Sequence, residues 1–535
     1  MISEPRKTFS NNVILTIECF DEIFQHLLND NDKNTLHSSL LVNRSFCRKI
    51  VPLLWSKPFS LLKLHPSKSF IKTFVLCLSL NERFVLFNYI LKIKDKRIEE
   101  YSALFHYPVL IRELDFWSLY ECVRVWIQED RLKYTKIGLW TNETTFYLIK
   151  VLIRRGQHIK YLNLVNNDKI IEIPPIMRLY NADVAFSKLQ YLYCGGYNAD
   201  VKSYTKLMEY CKDIMEIDIV HYHKSSDSSL AALIRSQRRL NKITYRSVSG
   251  GTWRLVAALA QTHFLKSVSF ICTDFADTYS KGLATCDNLE VLELLDCRGN
   301  DFEKFWKPII EKSKFRLKKL SLARTSVNKE AIETLIRNAG EKLEEVTVDY
   351  TVTSTIPHFL EMLVKNCPNI VYLKLFLLHP EELTMLLSII SVAFKLKQLV
   401  IRTSDMDVTA ILPGLAKLVP SSLRLLDMDM MISSKALQEF LNGCEAPIQR
   451  LILNAGHTIT DDHIMMIIQY AKEKGSLKSL GYTYRTLRWN LSSRISQKVE
   501  NKAKNLISFY NPEDPADFLF PLDRNDELIG TDTWD

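Results

Sequence analysis

The feature that most constrains this chain is a short apolar pattern that returns at a nearly fixed interval. The pattern apolar-x-x-apolar-x-apolar is clearest in Leu289-Glu-Val-Leu-Glu-Leu294, Leu317-Lys-Lys-Leu-Ser-Leu322 and Ile370-Val-Tyr-Leu-Lys-Leu375. It recurs in Leu396-Lys-Gln-Leu-Val-Ile401, Leu423-Arg-Leu-Leu-Asp-Met428 and Ile448-Gln-Arg-Leu-Ile-Leu453. Weaker copies begin at Ile111, Tyr134, Ile159, Leu189, Ile214, Leu240, Leu265, Leu343 and Leu477. From Ile159 onward the starts lie 24 to 30 residues apart. A single match means little, because leucine is common. A long series in register implies an array of similar units, which also explains how 535 residues can fold when one core seldom organises so many.

After each copy comes a polar turn and then a helical stretch, such as Asn328 to Arg337, where Ala331, Ile332, Leu335 and Ile336 supply the spacing. Strand, turn and helix repeated in sequence make a parallel sheet with helices on its outer side. This α/β pattern resembles the leucine-rich repeat, with its period of ~20–29 residues and L-x-x-L-x-L-x-x-N/C signature. The resemblance implies a solenoid or horseshoe with the parallel sheet on its concave face. The third position after the strand should carry a short residue that bonds backbone groups, and it is Asn142, Asn167, Thr273, Cys297, Thr325, Thr351 and Ser404 in seven copies. Cys211, Cys286, Cys367 and Cys444 lie just before the motif, as in the cysteine-containing subtype of these repeats, and are expected to be small buried residues. Alternation sends the third, fifth and seventh motif positions onto the concave face. There the sequence places Tyr161, Tyr191, Tyr193, Lys242, Glu293, Tyr372, Lys374, Phe376, Arg402 and Asp427 as candidates for holding a protein substrate.

Residues 14–55 have a different grammar. Ile17, Phe20, Phe24, Leu27 and Leu28 recur at helical spacing, with Glu18, Asp21, Glu22 and Gln25 opposite. Asp32 is placed to cap a second helix carrying Leu36 and Leu40. Val42, Phe46, Ile50, Leu53, Leu54 and Trp55 form a third apolar series. So small a unit buries too little surface to be comfortable alone and leans on a partner or neighbour. Leu15-Thr-Ile-Glu-Cys-Phe-Asp-Glu-Ile-Phe-Gln-His-Leu27 is similar to the F-box opening L-P-x-E-L-L-x-x-I-F-x-x-L. Val42-Asn-Arg-Ser-Phe46 resembles V-C-R-x-W, and Leu54-Trp55 the closing L-W. Thr16 stands where the family has proline, Cys19 for the first of its paired leucines, Asn43 for its cysteine and Phe46 for its tryptophan.

The resemblance implies the substrate-recognition subunit of an SCF-type ubiquitin ligase. Leu15, Thr16, Ile17, Glu18, Phe20, Ile23, Phe24, Leu27, Leu40, Val42, Arg44, Phe46 and Trp55 would dock a Skp-type adaptor and, through it, a cullin-RING ligase. A second reading makes the helices a terminal cap for a plain repeat scaffold.

No catalytic set is present. The chain has no GxxxxGK[ST], HExxH, GxSxG or kinase series, so neither enzyme nor cofactor nor metal is expected. His221-Tyr-His223 is expected to be a surface pair, and the register puts His457 to His463 at a turn and helix cap. Eleven cysteines without a CxxC suggest neither a disulfide framework nor a common zinc spacing. No run reaches the ~18 apolar residues of a membrane span, and the first residues lack the core of a secretory signal. The expected setting is cytoplasm and/or nucleus.

Net charge is +9, with eight acids against Arg524 in residues 511–535, so the body carries +16. A basic nucleic-acid binder is the third reading, although runs such as Lys312 to Lys319 are expected to be solvated strand edges. The expected organisation is an N-terminal tail at 1–13, the F-box-like module at 14–56, a helical connection at 57–108 and repeats over 109–486. A capping helix at 487–510 and an acidic, mostly disordered tail at 511–535 complete it.

Overall fold

The computed structural model describes residues 17–29, 32–62, 66–91, 103–130, 137–155, 158–165, 171, 173–196, 201–221, 228–248, 252–276, 278–299, 302–349, 356–377, 379–407, 411–453, 459–482, 495–504 and 506–510. The chain divides into two compact units, Met1–Ile217 and Asp218–Asp535. The helical module shares the first unit with the first repeats.

The module consists of α1 (Ile17–Asn29), α2 (Lys33–Leu40) and α3 (Arg44–Ser56). Asp32 caps α2 by accepting the Thr35 amide at 3.0 Å. Asn43 does the same for α3 through the Phe46 amide at 2.8 Å. The residue that replaces the F-box cysteine is thus a helix cap, a role worth about 1 kcal/mol. Phe24, Leu36 and Ile50 are buried at the centre, packed by Phe20, Leu27, Leu28, Leu40, Phe46, Leu53 and Leu54. This small core is tied to the rest of its unit at the end of α3. The Trp55 ring stacks on Phe70 at 5.3 Å and lies 4.2 Å from Tyr107. The Arg112 amide donates to the Ser56 carbonyl at 2.9 Å.

In the connection, helices Pro58–Leu62, Lys68–Leu76 and Leu80–Phe84 lead into one turn of wider helix at Val85–Ile90. Glu82 is buried there, bonded by the Ser79 amide at 2.8 Å and paired with Arg154 and Arg155 of helix Ile137–Arg155.

The strands are β1 (Glu113–Asp115), β2 (Tyr161–Asn163), β3 (Tyr191–Gly195), β4 (Glu216–Val220), β5 (Lys242–Arg246), β6 (Ser267–Ile271), β7 (Val291–Leu295) and β8 (Lys319–Ala323). They continue with β9 (Glu345–Asp349), β10 (Tyr372–Leu377), β11 (Gln398–Asp407), β12 (Leu425–Met431), β13 (Arg450–Leu453), β14 (Ser479–Tyr482) and β15 (Ser508–Tyr510). In the first unit β1 to β3 pair in parallel and in sequence order. In the second, β5 to β15 do the same. This is an α/β repeat fold of leucine-rich-repeat type with an N-terminal helical region.

Every copy of the motif except that at Tyr134 carries a strand beginning two residues after its first apolar position. The first and fourth positions are buried throughout these copies, as with Leu289 and Leu292 or Leu396 and Leu399. Each such leucine is worth about 1.5–3 kcal/mol relative to exposure. Parallel pairing is reinforced at the second position, whose carbonyl accepts two successive amides of the next copy. Lys318 takes those of Glu344 and Glu345 at 2.8 and 2.9 Å, and Lys397 takes those of Arg424 and Leu425 at 2.8 and 3.0 Å.

Two details explain how the chain leaves each strand. His221, Ser247, Cys272, Asp296 and Arg324 directly succeed their strands with φ between 45° and 56°. These left-handed residues let the chain turn sharply, at a cost of about 1–2 kcal/mol each. The ladder expected beyond them is present. Thr273 donates to the Tyr245 carbonyl at 3.2 Å, Cys297 to that of Phe270 at 3.4 Å and Thr325 to that of Leu294 at 3.2 Å. Asn167 and Thr351 lie outside the described residues, and Ser404 falls inside the long strand β11.

Two further expectations need correction. The copy at Tyr134 begins outside the described residues, and its described part, Ile137 to Leu139, begins helix Ile137–Arg155, with Asn142 inside it. Thr141, Thr144, Thr145, Leu148, Ile149 and Leu152 are buried there, a helical period that overrides the short apolar match. At the other end a helix forms at Gln497–Lys504, but a further strand, β15, comes after it and pairs on β14. The expected closing element is therefore another, shortened repeat.

Candidate interaction surfaces

The thirteen residues expected to dock an adaptor fall into three groups. Leu15 and Thr16 lie outside the described residues, and Ile17 and Glu18 open α1. Phe24 is buried, and Phe20, Leu27, Leu40 and Phe46 are packed around it. Phe46 lies 4.9 Å from Phe20 and 5.1 Å from Phe24, so this aromatic cluster builds the module from within. Trp55 joins the module to the rest of its unit through Phe70 and Tyr107. Phe24 therefore closes a core, while the partly buried Trp55 ring closes a junction. Ile23 at 41% exposure, Val42 at 64% and the exposed Arg44 remain available on the surface. Leu41, 80% exposed, belongs with them and carries no F-box signal.

The strand-borne candidates occupy the alternate positions expected of them, in two chemical settings. In the first unit, register places Glu113, Tyr161 and Tyr191 in one row and Asp115, Asn163 and Tyr193 in the next. Tyr161 and Tyr191 stack with centroids 4.3 Å apart and planes 6° from parallel. The Lys57 ammonium sits 4.1 Å above the Tyr161 ring. Glu113 accepts the Ser60 amide at 2.9 Å, and Asp115 accepts from Asn163 at 2.9 Å. Tyr193 is 39% exposed.

In the second unit Lys242 is exposed, and charges further along meet across strands. Lys319 bridges to Glu293 at 2.8 Å, and Glu293 also accepts the Ser269 hydroxyl at 2.6 Å. Arg402 grips Asp427 with two bonds of 2.7 Å and reaches Asp429 at 3.9 Å. Desolvation opposes the Arg402 charge, but Asp427 and Asp429 hold its pKa above the ordinary guanidinium value. Burial pushes the Tyr372 phenol up to about 12, with the Asp427 charge adding to it. Lys374, on the same strand as Tyr372, is half-buried. Phe376 and Asp427 are buried, so neither offers the open contact expected of it. The diagonal Arg402–Asp427 pairing has no local sequence signal, since the partners are a repeat apart.

Motifs with a chemical look resolve into packing. His463 Nδ1 accepts the Thr460 amide at 3.2 Å at the start of helix Asp461–Lys474, and Nε2 lies 2.9 Å from the Ile432 carbonyl. Cys286 and Cys367 are buried, which pushes both thiols up to about 12. Lys318 of the basic run pairs with Glu290 at 2.9 Å. Among the described residues no group of three or more His, Cys, Asp or Glu could hold a metal ion. No described helix is long and apolar enough to cross a membrane.

No protein-family model matches the chain, and no curated protein matches it. Among solved structures it is similar to a chain of the yeast Rad7 and Elc1 complex, at 12% identity and a TM-score of 0.32, over 60% of this chain and 68% of that one. It is also similar to the TLR13–ssRNA13 complex, at 15% identity and a TM-score of 0.29, over 62% of this chain but 40% of that one.

Proposed function

We propose that this chain is a non-catalytic substrate-recognition adaptor of an SCF-type ubiquitin ligase, acting in the cytoplasm and/or nucleus. The module Ile17–Ser56 docks a Skp-type adaptor, and the repeat strands hold a protein substrate. The observation that carries the reading is the division of labour inside the module. Phe24, Leu36 and Ile50 close its core while Ile23, Leu41 and Val42 stay outside. The chain needs no nucleophile, because its contribution is to hold a substrate near a ubiquitin-charged enzyme.

Copurification tests it. Tagged full-length protein is expected to bring down a Skp-type adaptor, and Ile23→Asp with Val42→Asp to lose it while the melting curve stays in place. Folded protein that captures no adaptor would sink the proposal and leave a repeat scaffold.

A further inference from the structure

Strands β5 to β15 run parallel, so the segments that enter them lie along one edge of the sheet. The residues just before successive strands form a row there, each carbonyl accepting the amide of its counterpart in the next copy. Ahead of β6 to β9 the row reads Lys266, Glu290, Lys318 and Glu344, alternating in sign. Glu290 meets Lys266 at 3.6 Å and Lys318 at 2.9 Å, so these charges answer one another. Ahead of β10 to β14 the row reads Val371, Lys397, Arg424, Gln449 and Lys478, with three cations and no acid.

At β11 and β12 apolar surface joins this charge. Phe394 and Lys395 lead into β11 and are both exposed, Phe394 at 61%. The exposed Lys417 and Leu418, the latter 38% exposed, end helix Leu412–Leu418 ahead of β12. Ser422 ties the two entry segments together by donating to the Phe394 carbonyl at 2.8 Å and to that of Leu396 at 2.7 Å. Arg424 Nη1 donates to the Ser421 and Leu423 carbonyls at 2.7 and 2.9 Å, which fixes the guanidinium on this edge. Among the described residues Lys397, Lys417 and Arg424 form no ion pair, and Lys395 meets the Phe394 ring at 5.8 Å. Glu445, on the entry segment of β13, is exposed and pairs with none of them.

Cations gathered without a counter-charge favour a partner that brings carboxylates, and a fixed guanidinium suits them best because its fork matches their geometry. Phe394 and Leu418 add apolar area beside that charge. An aliphatic side chain next to a ring suits an apolar residue of a peptide, whereas nucleic-acid bases call for a series of stacking planes. Glu290 and Glu344 also interrupt the row where a continuous phosphate backbone would need cations. We infer that the entry edge of β11 and β12 takes an acidic segment of a partner protein. Its carboxylates meet Lys395, Lys397, Lys417 and Arg424, and an apolar side chain of the segment rests on Phe394 and Leu418. The inference rests on the proposed reading of the repeats as the substrate-holding part, and it names the class of substrate: a protein presenting an acidic stretch with an apolar residue in it.

A short rhodamine-labelled peptide of alternating glycine and glutamate with one central leucine serves as the probe on the full-length protein, with a lysine version beside it. The glutamate peptide should bind at least about tenfold more tightly than the lysine one and weaken as salt is raised. Lys397→Glu combined with Lys417→Glu should cost about tenfold in affinity, and Phe394→Ser several-fold. Lys266→Ala, on the paired stretch of the row, should leave affinity within about twofold. All four positions are exposed, so the variants should fold as the parent does. Equal binding of the lysine peptide, unchanged affinity in the first two variants, or an equal loss in Lys266→Ala overturns the inference. So does tighter binding of a single-stranded oligonucleotide of the same charge. A gain above about tenfold on removing residues 511–535, with their eight acids, would assign the edge to the chain's own tail instead. Adaptor capture reads a different surface. Peptide failure with capture intact removes only this inference, and capture failure with peptide binding intact removes only the ligase reading.

Discussion

In the helical module, Ile23, Leu41 and Val42 lie outside a core closed by three buried side chains, whereas the repeat strands hide their motif leucines and pair their charges across neighbouring strands. The module has little core to spare and still leaves apolar surface in water. The second unit buries even Asp427, and satisfies it with two bonds from Arg402. On the proposed function, the difference separates two kinds of recognition. Apolar docking by the module should be nearly indifferent to salt, while any gain on the strand faces comes from polar and aromatic groups and should respond to it.

The contrast can be broken first at its best-paired point. Asp427→Ala leaves the Arg402 charge buried beside Asp429 alone, and should cost about 3–5 kcal/mol of stability. Denaturant unfolding of the full chain should show it, with hydrogen exchange rising around β11 and β12. A loss below about 1 kcal/mol would mean the pair is better hydrated than its burial implies.

Phe24→Ala removes the central ring of the smaller core and should cost about 3–4 kcal/mol. Amides of residues 17–56 should then exchange faster while those of β5 to β14 keep their protection. Loss of protection in both would show that the module and the second unit unfold together.

Glu82 sharpens the contrast, because it is a buried charge belonging to the connection. Burial works to raise its pKa, but Ser79, Arg155 and Arg154 hold it below the ordinary 4.5. A depressed carboxylate stabilises the fold above its unfolded pKa and loses that contribution as pH falls through the folded value. Glu82→Gln should therefore cost about 1–3 kcal/mol at neutral pH and flatten the decline in stability below about pH 4.5. An unchanged acid limb would contradict the assignment.

Much of the fold is legible without the structure. The motif register locates every strand from β1 to β14, because a leucine or its equivalent at the first and fourth positions must be buried for the copy to exist. Thr273, Cys297, Thr325, Asp32 and the Asn328 helix cap are readable for a similar reason: their chemistry acts within a few residues or recurs by register. The copy at Tyr134 misleads because a short apolar pattern fits one face of a long helix equally well. β15 is hidden because Leu506-Ile-Ser-Phe-Tyr510 is cut short, with Phe509 in place of the second leucine. Contacts made across repeats, such as Arg402 with Asp427 or Lys57 with Tyr161, leave no local trace at all. Nor does the F-box pattern separate Ile23 from Phe24, since both fit the helix and only packing shows which one is inside.

The smallest structural change carries the largest functional expectation. Ile23→Asp alters an exposed side chain and should shift stability by less than about 0.5 kcal/mol. Titration of a purified Skp-type adaptor into the full-length protein tests the central claim most directly. Saturable binding is expected that changes little with salt and is lost in Ile23→Asp at an unchanged melting temperature. Equal affinity of the variant, or no binding by folded wild-type protein, would contradict it.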